Sequence, residues 1–116
     1  MNKLRDEIHN LAKEKGFWNK PRETGTMLML MVSEIAEAME ADRKDRYAKP
    51  QLLDESNFVE SFEQNVKDTL EDEMADTIVR VLDFCGAQNI DIDWHIKKKL
   101  QYNATRAKMH GKKYWF

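Results

Sequence analysis

The sequence predicts an all-α fold, and three observations carry that reading. Charged residues make up 34% of the 116-residue chain and apolar residues 41%, a balance that suits amphipathic helices. Only four glycines and two prolines interrupt it. Apolar residues recur with the 3.6-residue helical period over most of the length. A chain of this size is one domain, residues 1–116, and buries roughly two-thirds of its unfolded surface.

The elements follow in order. Residues 2–15 form a first amphipathic helix, with Leu4, Ile8, Leu11 and Ala12 on one face and charges on the other. Gly16 ends it. Phe17-Trp18-Asn19-Lys20-Pro21 is a short connection carrying two aromatics, and Thr24 is the expected N-cap of the next helix. That helix, about 25–45, is apolar on nearly all sides. Leu28, Val32, Ile35 and Met39 form one stripe, and Met27, Leu30, Met31, Ala38 and Ala41 another. Such a helix is expected to be buried and central.

Residues 46–57, with Pro50 and little periodicity, read as a loop or insertion. A short helical stretch near Ser56 places Phe58 and Phe62 on one side. A third long helix is expected over about 64–88, with Val66, Leu70, Met74, Ile78, Val81 and Cys85 as its core stripe. Gly86 and Asn89 mark its end. Asp91 or Asp93 can cap a fourth helix, about 92–107, carrying Trp94, Ile96 and Leu100. The tail from Met109 to Phe116 is basic and aromatic. His9 and His95 fall on charged helix surfaces and receive no role.

Charge and cysteine content narrow the function classes. A formal net charge of −2 gives no general electrostatic case for nucleic-acid binding. The charge is uneven, since the chain from Lys97 onward holds seven Lys/Arg and no acid. The lone Cys85 excludes an intrachain disulfide and a cysteine zinc cluster, and reads as a buried small residue. No stretch is apolar enough to span a membrane, and the charged N-terminus has no secretory core, so a cytoplasmic protein is expected.

The chemistry is concentrated in four carboxylates. Glu34 and Glu37 sit in the apolar second helix, Glu73 and Asp76 in the third, each pair spaced i, i+3. At about 100° per residue each pair falls within roughly 60° of one helix face, so two facing helices can aim four carboxylates at one point. Buried like charges must be neutralised by protons or cations. All-oxygen ligation favours Mg²⁺, with Mn²⁺ the alternative, and Mg²⁺ usually arrives with a phosphate ligand. An isolated helical Glu-x-x-Glu is most often a solvated face, and it is the repetition within an apolar helix that sets these acids apart. Asp83 is a candidate outer group, whereas Glu40, Glu71 and Asp72 read as surface charges.

Glu34-Ile-Ala-Glu37 followed by Glu73-Met-Ala-Asp76 resembles the E-x-x-E … E-x-x-D signature of the MazG-like all-α nucleoside triphosphate pyrophosphohydrolases. The flanking words fit, as do Gly86-Ala-Gln-Asn-Ile-Asp91 and Lys99-x-x-x-Asn103-x-x-Arg106, so that the resemblance covers roughly residues 5–113. Thirty-five residues separate Glu37 from Glu73, longer than in compact members, and the 46–62 insertion accounts for it.

The resemblance implies a bundle of four main helices plus a short insertion helix, completed as a homodimer or dimer of dimers. It implies Mg²⁺-dependent cleavage of a nucleoside triphosphate between its α and β phosphates. Glu34, Glu37, Glu73 and Asp76 would hold the metal, with Glu37 as general base. Lys99, Asn103 and Arg106 step along one helix face and suit phosphate recognition, although without the resemblance they read as a solvated basic face. The segment His110–Tyr114 either closes over the phosphates or frays. Trp18 either stacks on the base or packs into the core. Related activities (phosphoribosyl-ATP or dUTP-type hydrolysis) and a non-catalytic helical module remain as alternatives.

Overall fold

The computed structural model describes residues 1–106, so expectations for the basic tail, His110–Tyr114 included, lie outside the described residues. Five α-helices and two 3₁₀ turns make up the described chain: α1 Asn2–Glu14, α2 Thr24–Arg43, turns at Pro50–Leu52 and Glu55–Asn57, α3 Phe58–Asn65, α4 Leu70–Ala87 and α5 Ile92–Ala104. The expected all-α class is found. None of the helices is long and apolar enough to cross a membrane.

α4 is the organising element, packing against both α2 and α1. Leu82 at its centre is 1% exposed, and Cys85 is also buried. α1 approaches α4 very closely at Gly86, where an added Cβ would lie 2.6 Å from the His9 Cβ. Gly86 therefore lies within α4 and permits helix contact. The helix ends at Ala87, and Asn89 takes up the left-handed conformation (φ 54°) that follows it. Gly16 does the same after α1 at φ 89°, as the sequence implied.

Two boundaries depart from the sequence reading, and one settles between its alternatives. The long helix expected over 64–88 is two helices. Asp68 at φ 63° breaks the chain, and Thr69 starts α4 by accepting from Asp72 N at 3.3 Å. Val66 is thus outside α4's core stripe. Thr24 is the first helical residue rather than the N-cap, and Glu23 holds the cap position without a side-chain bond. At α5, Asp91 is the cap, accepting from Trp94 N at 3.1 Å.

The insertion is tied to the start of α4. Leu70 N donates to Arg46 O at 3.0 Å, and Ala48 N donates to the Glu71 carboxylate at 2.9 Å. These bonds hold the first turn of α4, where Glu73 sits, against the end of α2. Phe58 and Phe62 stack with ring centroids 5.5 Å apart on α3, as their spacing predicted.

α2 is central but not enclosed. Met27, Ala38 and Ala41 are buried, whereas Leu28, Val32, Ile35 and Met39 are exposed within the single chain. The expectation of a buried helix is therefore corrected: the face toward α4 is enclosed, and the Leu28, Val32, Ile35 and Met39 stripe is open within the single chain. The radius of gyration, 17.2 Å, agrees. A compact chain of this length would measure about 13 Å.

Candidate metal centre and its cleft

Glu34 and Glu73 are the two buried carboxylates among the described residues. Glu34 lies on α2 beside Ala38, one turn away on the face that meets α4. Glu73 lies in the first turn of α4, with Asp76 one turn further along. One carboxylate oxygen from each of Glu34, Glu73 and Asp76 lies within 4.8 Å of the other two. Three of the four predicted acids thus converge as the helical spacing required.

Glu37 stands apart from that tight group. It is exposed on α2, at the rim of the cluster, although its charge and hydrogen-bonding capacity still reach Glu34 and Glu73. A second acidic group, Asp68, Asp72 and Glu73, shares the same buried glutamate. Asp72 there accepts the Asp68 backbone N–H at 3.0 Å and caps the helix start.

The electrostatics are unbalanced. Arg80 Nε donates to Glu34 Oε1 at 2.9 Å, the one cation paired with the cluster among the described residues. Burial works to raise the Glu34 pKa, but hydrogen bonds from Arg80, and from Glu73 and Glu37, outweigh it and hold the carboxyl below its usual value. Glu73 has no such partner. Burial first, then its contacts with Glu34 and Glu37, push its pKa up to about 8. The helix dipole favours an anion in this turn and does not prevail. Asp76 is also raised, by burial and then by Asp72 and Glu34.

Glu73 Oε2 is fully buried and has no hydrogen-bond partner among the described residues. A native interior rarely leaves such an acceptor orphaned. An all-oxygen donor set with a spare buried acceptor and excess negative charge is the chemistry of a hard divalent cation site, so the residues present fit Mg²⁺ or Mn²⁺.

Beside the acids a cleft of about 630 Å³ opens between α1, α2 and α4, within the size range of small-molecule sites. Leu11, Phe17, Leu30 and Val79 supply apolar walls, and Glu34 and Asp76 reach it from the acid cluster. Lys15, Arg22 and Arg80 also line it. None of Lys15, Phe17 or Arg22 was singled out from the sequence as a site residue. The available signal was their clustering in the short link between two helices.

Trp18, the predicted stacking residue, does not line this cleft. Its indole Nε1 donates to both Asp83 oxygens, at 3.0 and 3.1 Å. His9 Nδ1 meets the same carboxylate at 2.8 Å and packs edge-on against the Trp18 ring. The indole is locked by a half-buried polar partner, and its neighbour Phe17 faces the cleft instead. Asp83 and His9 are thus structural anchors for the α1–α2 link, and the reading of His9 as a bare surface residue is corrected.

α5 has no extensive packing against α2 or α4 among the described residues, and Lys99, Asn103 and Arg106 belong neither to the acid cluster nor to the cleft lining. Lys99 Nζ and Arg106 Cζ flank the Tyr102 ring at 5.4 and 5.9 Å from its centroid. Asn103 is buried, so the three residues do not present one uniform face. No family model, curated protein or solved structure matches this chain.

Proposed function

We propose that the protein is a Mg²⁺-dependent nucleotide hydrolase that cleaves a nucleoside triphosphate between the α and β phosphates, releasing a monophosphate and pyrophosphate, as a cytoplasmic housecleaning enzyme. The observation that carries this reading is the orphaned, buried Glu73 carboxylate, set against Glu34 and Asp76 at the edge of a cleft of about 630 Å³. Uncompensated buried carboxylates cost several kcal/mol each, and one arginine offsets only part of that. A resident cation removes the cost, and the cleft alongside gives its ligand a place to sit.

Glu34, Glu73 and Asp76 would hold the ion, with Arg80 fixing the orientation of Glu34 through its 2.9 Å bond. Bound Mg²⁺ supplies positive charge against phosphate oxygens and makes a nearby water more acidic. Glu37, exposed at the rim one turn from Glu34, accepts the proton of the attacking water on its carboxylate. The apolar walls of the cleft exclude bulk water and hold the nucleoside. The open apolar stripe of α2 supports self-association as a homodimer or a dimer of dimers. Lys99, Asn103 and Arg106 would serve the phosphates only from a second copy.

The Glu34–Arg80 pair favours one competing reading, a non-catalytic helical module whose acids are matched by basic groups. A panel of nucleoside triphosphates incubated with Mg²⁺ separates the two, scored for pyrophosphate against orthophosphate. Pyrophosphate as first product is expected, and Glu37→Gln and Glu73→Gln should each abolish it with helical content intact. Orthophosphate as first product rules out α–β cleavage, and no turnover of any substrate favours the module. The preferred substrate in the panel distinguishes a general hydrolase from a dUTP-type relative.

A further inference from the structure

We propose that Arg22 and Arg80 form an anion subsite in the cleft that takes the phosphate groups of the ligand. The assignment as a substrate subsite rests on the hydrolase reading above; the anion binding itself does not. Both guanidinium groups line the cleft that Glu34 and Asp76 reach, and both also line the small recess behind it, together with Asp83 and Phe84. Two arginines from different parts of the chain, the α1–α2 link and α4, therefore converge on one wall.

Their donors are largely uncommitted. Arg80 makes a single hydrogen bond, through Nε to Glu34, which leaves both terminal nitrogens without a partner among the described residues. Arg22 makes no hydrogen bond among the described residues, and its one ion contact, to Asp83 Oδ2, is long at 3.9 Å. Its guanidinium lies 5.1 Å from the Trp18 ring centroid. Stacking on an aromatic face positions the group while leaving its edge donors free, the arrangement that suits bidentate phosphate binding. Asp83 holds that ring in place through two hydrogen bonds from Trp18.

The neighbouring acids select the class of ligand. A bare anion entering this cleft would meet the Glu34, Asp76 and Asp83 carboxylates that also line it and be repelled. A phosphate carrying a divalent cation presents opposite charges to the two halves of the wall, metal toward the acids and oxygens toward the arginines. The subsite therefore takes a metal–polyphosphate complex and discriminates against free phosphate. It also places the cationic half of the site on α4 and the link, where the sequence had suggested Lys99 and Arg106 on α5.

The test is isothermal titration of the full chain with magnesium tripolyphosphate, a probe without a base. Loss of a charge-assisted fork predicts about 10- to 100-fold weaker binding in Arg22→Ala and Arg22→Gln. Affinity for Mg²⁺ alone and the melting temperature should be unchanged in both. Lys20→Ala, which removes the same charge from the same link, should bind as the wild type does. Unaltered tripolyphosphate affinity in both Arg22 variants overturns the proposal. So does a parallel loss of Mg²⁺ binding, and so does failure of the wild type to bind the probe. Nucleotide turnover measured on the same proteins separates the two readings. Binding that depends on Arg22 without turnover of any nucleotide removes the hydrolase and keeps the subsite. Turnover with an unchanged KM in Arg22→Gln removes the subsite and keeps the hydrolase.

Discussion

Replacing Glu73 with glutamine should make the metal-free protein more stable, and the gain should grow with pH. In the folded chain the Glu73 carboxyl has its pKa at about 8, against an ordinary value of 4.5. A raised folded-state pKa means that folding favours the protonated form. The associated stability is fully present below about pH 4.5 and is lost as pH rises through about 8. Each pH unit in that window is worth about 1.4 kcal/mol, so the wild type forfeits about 3 kcal/mol by pH 7 and about 5 kcal/mol above pH 8. Glutamine is close to the shape of the protonated acid and carries no such penalty.

Urea denaturation in EDTA at pH 4.5, 7 and 8.5 measures this directly. Wild type and Glu73→Gln should coincide at the acid end and separate by several kcal/mol at the alkaline end, with the variant the more stable. Comparing the two proteins cancels the titration of Asp76, whose shift is set by burial, Asp72 and Glu34. Adding Mg²⁺ should reverse the order at pH 8.5, because an ion bound to the native state stabilises it through mass action. Parallel pH profiles for the two proteins in EDTA, or an equal Mg²⁺ response, would refute the reasoning.

Three further outcomes follow from the packing. Leu82→Ala empties the most buried site in α4 and should cost about 2–5 kcal/mol in urea unfolding. Gly86→Ala places a methyl 2.6 Å from the His9 Cβ, so helix separation should destabilise the fold by about 1–3 kcal/mol, seen as a lower melting temperature. If the proposed self-association through the open face of α2 forms, the wild type should sediment as more than one chain in sedimentation velocity and Val32→Asp together with Ile35→Asp as a monomer.

Local pattern made much of this molecule readable. The apolar period located the helices, and the i, i+3 acids on two of them anticipated the convergence of Glu34, Glu73 and Asp76. Local pattern did not place Glu37 at the rim, because a 100° step fixes a helix face but not how far a facing helix extends over it. The split between α3 and α4 was signalled by Asp68-Thr69 followed by an acid three residues on, a capping arrangement overridden by the run of apolar positions. The Asp83 anchor was invisible because its partners His9 and Trp18 lie 74 and 65 residues away in sequence. For α2, periodicity reports how much apolar surface the helix carries. It carries no information on how much of that surface the rest of the chain covers.

The contact between Gly86 and His9 sets the mechanics of the cleft. α1 and α4 pack there too closely to admit a methyl group, and the cleft opens further along, toward Lys15 and Asp76. Gly86 is thus a fulcrum, with α1 as its lever arm. From His9 to Lys15 the arm is about 9 Å, so a tilt of about 5° at the fulcrum shifts its far end by roughly 0.8 Å. A substitution at residue 86, away from the acid cluster, would in this way change the width of the cleft.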